Sequence, residues 1–122
     1  MSVTEVSVIG FKDNEVEGQR SALPADRVLA GAPEQVLWNH FQDRSKQMVS
    51  GVWDCSPGKW TADYSTKSEF CHILSGKVIL ADTAGKSQTF SSGDSFVIPS
   101  GFEGTWEVVE PVRKLYVIFQ PN

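Results

Sequence analysis

Glu69 shares one face of an extended segment with Cys71 and Ile73, and that placement carries the most chemical consequence in this sequence. Along residues 68–74 the alternation puts Glu69, Cys71 and Ile73 on one side and Phe70, His72 and Leu74 on the other. If the first side turns inward, Glu69 must find a partner or stay protonated, because an unpaired buried charge costs several kcal/mol or more. The available partners are Lys114, the Tyr64 hydroxyl, an indole N–H from Trp60 or Trp106, or a metal ion. A functional Glu69 would be a general acid or base, or a single metal ligand; a structural one would be a carboxylate tied to Lys114 or to backbone and ring donors.

The neighbouring groups carry the same double reading. A nucleophilic Cys71 needs an adjacent base, but His72 points to the opposite face, so the alternative is a small core residue. Cys55, beside the turn Ser56-Pro57-Gly58, reads as packing, and His72 as a structural histidine. Trp60, Tyr64, Phe102 and Trp106 either line a pocket for a small planar or sugar-like ligand or simply fill a barrel. Lys114, on one face with Tyr116 and Ile118, is either a solvated strand-end charge or an inward partner for Glu69.

The elements that must position these groups are short strands. From position 43 onward turn signals recur about every eight to ten residues, among them Ser56-Pro57-Gly58, Ser75-Gly76, Ser92-Gly93-Asp94 and Glu110-Pro111. Between them lie segments 35–42, 47–54, 59–64, 68–74, 77–82, 87–90, 95–98, 105–109 and 113–119, rich in β-branched and aromatic residues and too short for typical helices. The two-residue loop Ser75-Gly76 predicts a tight hairpin between 69–74 and 77–81. Residues 1–34 are less regular, with one expected strand at Val6–Phe11 and a helical turn at Ala25–Ala30 ended by Gly31. The division is therefore an N-terminal arm, 1–34, packing on the barrel or on a partner, and an all-β barrel domain, 35–122.

Composition bounds the rest. The chain has 122 residues, 40% of them hydrophobic, with four Trp, seven Phe and two Tyr, enough for one core without staples. Eleven basic residues against fifteen acidic ones, net charge −4 and no basic cluster, argue against nucleic acid as a main partner. Charges scattered through the first thirty residues predict neither a signal peptide nor a membrane span, so the expected compartment is cytoplasmic. Two cysteines make no disulfide framework, and two histidines, His40 and His72, cannot supply a three-histidine metal centre.

From Gly58 to Trp106 the residues resemble a cupin, a jelly-roll β-barrel. Glu69 and Gly76, six residues apart, match the second half of the first cupin motif; Gly93, Pro99 and Gly101 match the first half of the second. Three of the four metal-ligand slots depart from the pattern, the His-x-His slot falling on Ala62-Asp63-Tyr64 and the later histidine slot on Gly104, and Val108 stands in the place of the motif's asparagine. The stretches Gly51-Val52-Trp53, Pro57-Gly58-Lys59-Trp60, Glu69 to Gly76, Gly93-Asp94-Ser95-Phe96 and Pro99 to Glu107 are similar to the cupin 3 (DUF861) group, related to the cupin domain of (S)-ureidoglycine aminohydrolase. The similarity runs over about positions 27–119.

The resemblance implies a single-domain cupin barrel and a homodimer. The residues around Glu69 suggest a pocket of Trp60, Tyr64, Cys71, Phe102 and Trp106, with Lys114 as charge partner, binding a small polar metabolite with neither the usual histidine metal site nor a cofactor. Two other readings stay open: a metal-assisted aminohydrolase or isomerase acting on a ureido or carbohydrate compound, and a non-catalytic interaction module.

Overall fold

The computed structural model describes residues 6–122. Its β-branched and aromatic segments form nine strands: β1 (Gln19–Ala22), β2 (Val28–Gly31), β3 (Glu34–Gln42), β4 (Met48–Cys55), β5 (Gly58–Asp63), β6 (Ser68–Asp82), β7 (Ser87–Ser91), β8 (Ser95–Ile98) and β9 (Glu103–Phe119). Among the described residues there is one short 3-10 turn, Phe11–Asp13, and no α-helix, hence no helix long and apolar enough to cross a membrane. Every ladder is antiparallel, and the curled sheet is the jelly-roll barrel expected of a cupin.

Two long strands organise the barrel, and they correct the hairpin predicted at Ser75-Gly76. β6 continues through that dipeptide and pairs with β9 along its length, from Ser68 opposite Phe119 to Asp82 opposite Gly104. The ladder is irregular between Ile73 and Val78, facing Pro111, where both strands turn a corner together. Glycine is needed there: Gly76 has φ +92°, and a Cβ on it would run into the Pro111 carbonyl and sit 2.7 Å from the Val112 Cα. The irregularity is a bulge, because the inward residues of β6 change from odd (Glu69, Cys71, Ile73) to even (Val78, Leu80) while β9 keeps Trp106, Val108, Val112, Lys114 and Tyr116 inside. A Ser-Gly pair suits a two-residue turn and a bulge equally, and pairing with a strand some thirty residues away decided between them.

The corner divides the sheet into two facing halves. The C-terminal half of β9 pairs with β4, which continues to β3 and β1; its N-terminal half pairs with β5, which continues to β2. β8 and β7 extend the β6 side. Three tryptophans, Trp53, Trp60 and Trp106, meet in the core between the halves. On the outside, Phe70 and Val97 lie directly opposite each other on β6 and β8, and both are exposed together with Leu74.

The N-terminal segment differs from expectation in detail. No strand forms at Val6–Phe11; Phe11 enters the 3-10 turn and stacks on His40 at 4.4 Å, while Val6 and Val8 stay exposed without a partner strand. The helical turn expected at Ala25–Ala30 is a single turn, closed by the Arg27 N–H donating to the Pro24 carbonyl, followed by β2. One turn fixes several dihedrals for one hydrogen bond, so pairing of Val28–Gly31 with β5 wins. Residues 19–31 add β1 against β3 and β2 against β5 as the edge strands of the same sheet.

Candidate functional site

Register brings the site together from four strands. On β9, Lys114 lies opposite Trp53 of β4 on one side and Ile73 of β6 on the other; Glu69 lies opposite Ile118, and Trp60 of β5 lies opposite Trp106. All of these point into the barrel. Tyr64, just past the end of β5, is held there by paired backbone bonds: its N–H donates to the Phe102 carbonyl and its carbonyl accepts from the Gly101 N–H.

The result is a closed polar cluster in an aromatic surround. Lys114 Nζ lies 2.8 Å from Glu69 Oε2, and both side chains are about 5% exposed (6% and 5%). The Tyr64 hydroxyl donates to Glu69 Oε1 at 2.7 Å and accepts from the Trp106 indole N–H at 3.1 Å. The ammonium also sits 4.3 Å from the ring centres of Trp53 and of Trp106, a double cation–π contact. Trp53 and Trp106 meet edge to face at 5.7 Å, and Trp60 lies parallel to Trp106 at 6.1 Å. Trp53 is fixed in turn by donating its N–H to Gln35 Oε1 at 2.8 Å.

Burial and pairing compete in setting the charges. Burial pushes the Glu69 carboxyl up, but the Lys114 charge and the hydrogen bonds from Lys114 and Tyr64 outweigh it, so Glu69 titrates below its ordinary value. For Lys114 burial favours the neutral amine, and the Glu69 charge reverses this, so Lys114 titrates above its ordinary value. Tyr64 is driven up by burial and then by the Glu69 charge, and burial pushes the Cys71 thiol up to about 12. The cluster is therefore a carboxylate, an ammonium, a neutral phenol and a neutral thiol at neutral pH.

A pH dependence of stability follows. Glu69 has a folded value below the ordinary 4.5, so its contribution is complete above 4.5 and is lost as pH falls through the folded value. Lys114 has a folded value above the ordinary 10.5, so its contribution is complete below 10.5 and is lost as pH rises through the folded value. Chemical-denaturation midpoints are expected to be flat with respect to this pair between those limits and to fall outside them. In the double variant Glu69→Gln/Lys114→Met the same pair-dependent fall should vanish at both ends, and its persistence there would assign it to other groups.

Above the cluster opens a cavity of about 530 Å³. Of the predicted site residues, Trp60, Tyr64, Glu69, Trp106 and Lys114 line it together. Two do not. Cys71 is fully buried behind Glu69, and Phe102 stands outside, packing edge to face on Tyr64 at 6.2 Å. Residues that sequence reasoning did not single out complete the wall: Trp53 and Gln35 near the floor, Tyr116 with its hydroxyl donating to Asn39 Oδ1, and Ser21, Leu23 and Arg27 from the N-terminal segment. Trp53 carried one usable signal, its place two residues after Gly51 and two before Cys55 on an inward face; the N-terminal residues carried none.

The cupin pattern places a metal at this depth, and the side chains present do not fit one. Three of the four ligand slots hold Ala62, Tyr64 and Gly104, and the single hydroxyl among them already has a donor and an acceptor partner. Both Glu69 oxygens are engaged, one of them by an ammonium. Among the described residues no three His, Cys, Asp or Glu side chains come together as a metal-binding group.

The family model for an EutQ-like cupin domain, cupin 3, matches residues 42–116. The chain belongs to this family. A Pseudomonas syringae pv. tomato protein of unknown function from the DUF861 family is 24% identical with a TM-score of 0.76, the match covering 87% of this chain and 46% of that one. This cupin chain thus spans less than half of the Pseudomonas protein. A Thermotoga maritima DUF861 family protein is 36% identical over 54% of this chain and 74% of its own, with a TM-score of 0.51. The Clostridium difficile EutQ protein shares the fold at 16% identity and a TM-score of 0.63, over 74% of this chain and 65% of that one. No curated protein matches the chain.

Proposed function

We propose that this cupin binds a small polar metabolite in the barrel cavity and does so without a transition metal. The observation that carries the reading is the buried Glu69–Lys114 pair at the cavity floor, which sets a tethered ammonium beside the one carboxylate a metal would use. The open volume above it supports binding: about 530 Å³, walled by indole and phenol rings with a few convergent polar groups, is the usual form of a small-molecule site. The cavity also favours this reading over a barrel filled by its own side chains and acting only as an interaction module.

The charge states of the cluster favour binding over proton transfer. A useful general acid or base titrates near the working pH, whereas Glu69 is lowered, Lys114 raised and Tyr64 raised, each away from neutrality. A metal-assisted aminohydrolase or isomerase would need a cation to displace the Lys114 ammonium from Glu69. Pairing of two copies, implied by the resemblance, belongs to the same proposal and would cover the exposed Phe70, Leu74 and Val97.

Metal analysis of protein purified without chelator tests the proposal, alongside a thermal-shift screen of small polar metabolites. Far less than one equivalent of any transition metal is expected in the wild type and in Glu69→Gln alike, with stabilisation by one or more compounds. One equivalent of metal in the wild type, lost in a Glu69→Gln variant whose near-ultraviolet dichroism is unchanged, would replace the proposal with the metal-assisted reading.

A further inference from the structure

The charges around the cavity are not balanced, and the imbalance lies at its mouth. At the floor Glu69 and Lys114 cancel. Toward the opening stand Arg27 and Lys67, with Asp63 as the one carboxylate, so the lining carries a net positive charge in a chain whose total is −4. The excess is therefore local, not an expression of the protein's overall field.

Both cations are placed but not spent. Arg27 donates from Nε and Nη2 to the Thr61 carbonyl, at 3.2 and 2.8 Å, which pins its guanidinium to β5. Among the described residues its Nη1 has no hydrogen-bond partner, and no carboxylate comes within ion-pair distance of either cation. Lys67 Nζ rests over the Tyr64 ring, 5.3 Å from its centre, at the cavity edge of the residue whose hydroxyl reaches Glu69. Asp63, the one carboxylate at the rim, accepts the Ser65 N–H on Oδ1 and stays beyond ion-pair distance of both cations, so it offsets one of their two charges without pairing with either. Between mouth and floor the wall is neutral, and its Gln35 amide is already shared between Trp53 and Ser21.

We propose that the occupant of this cavity is a small monocarboxylate, its anionic end held at the mouth by Arg27 and Lys67 and its body lying on the tryptophan wall above the Glu69–Lys114 pair. The inference rests on the metabolite-binding reading and gives it a chemical class. A guanidinium fork suits a carboxylate or a phosphate equally. One excess positive charge matches a monoanion, and a phosphate dianion would overshoot it.

Matched acid and amide probes test this with the full chain, read by the fluorescence of the lining tryptophans: acetate with acetamide, benzoate with benzamide, and inorganic phosphate. At low salt at least one acid is expected to bind about tenfold or more tightly than its amide, a gap of about 1.4 kcal/mol, and added salt should narrow it. The rim variant Arg27→Gln/Lys67→Gln should bring the acid to within about threefold of its amide, a residual of under about 0.7 kcal/mol, with the circular dichroism spectrum of the folded protein retained. Acid and amide binding alike in the wild type, or an acid indifferent to the rim variant, would overturn the carboxylate assignment while leaving the cavity a binding site. Phosphate preferred over every carboxylate would also overturn it. Failure of every probe to bind would overturn both this assignment and the reading beneath it.

Discussion

Lys114→Met is expected to cost about 3–5 kcal/mol of folding stability, the range for removing one member of a buried ion pair. Glu69, 4% exposed, would lose the ammonium on Oε2 and keep only the Tyr64 hydroxyl and the weakly donating Cys71 thiol beside it. Either the carboxylate stays charged while buried or it takes up a proton, and both cost free energy at neutral pH. The cation–π contacts to Trp53 and Trp106 vanish with the ammonium, although the methionine thioether keeps much of the packing. Replacing both partners should be milder, because in Glu69→Gln/Lys114→Met no charge remains buried and the new amide oxygen still accepts from Tyr64. The double variant is expected to recover at least about half of the single loss in a denaturant double-mutant cycle. A single variant costing under about 1 kcal/mol, or a double costing the sum of the two singles, would mean that the pair is not coupled as its 2.8 Å geometry requires.

Gly76→Ala is expected to cost about 2–5 kcal/mol, from two separable sources. The first is backbone conformation: at φ +92° any side chain carries a penalty of about 1–2 kcal/mol. The second is collision, since the new methyl would meet the Pro111 carbonyl and the Val112 Cα, both main-chain atoms of the strand that turns the corner with β6. Neither can move aside without disturbing the β6–β9 ladder, so overpacking adds about 1–3 kcal/mol. Gly85 supplies the control. It has the same φ of +92°, in the β6–β7 turn, and a methyl there would meet nothing within 4 Å. Gly85→Ala should therefore show the conformational cost alone. Equal denaturation midpoints for the two variants would show that the corner tolerates a side chain and that the bulge is not a tight approach of two strands.

The depth at which the site could be read varies with the range of the interaction. That Trp60, Ala62 and Tyr64 share a face, and that Glu69, Cys71 and Ile73 share another, needs only the two-residue period of an extended chain, and the burial of β5 and the first half of β6 follows it. Missing histidines in the ligand slots were equally local, being a matter of residue identity at fixed spacing from Glu69 and Gly93. The partner of Glu69 was narrowed to a few groups, and three of them are engaged in the same cluster: Lys114 and Tyr64 directly, Trp106 through Tyr64.

Cavity membership was less legible. Phe102 sits near the motif and packs on the back of Tyr64, because sequence proximity to a ligand slot does not say on which side of a ring a neighbour stands. Ser21, Leu23 and Arg27 belong to a segment with no hydrophobic period, and they reach the cavity because β1 and β2 add to opposite edges of the sheet.

By itself the amino-acid sequence determined the strand spacing, which residues share a face within a strand, the cupin family and the absence of a histidine-based ligand set, since each of these depends on residue identity and short-range periodicity. Tertiary structure decided the rest: that Ser75-Gly76 is a corner in one strand, that Trp53 flanks Lys114, and that the ammonium meets Glu69 instead of solvent. These depend on register between strands up to some sixty residues apart. A slip of one residue on β9 would have turned Lys114 out of the barrel without changing anything local to its own strand.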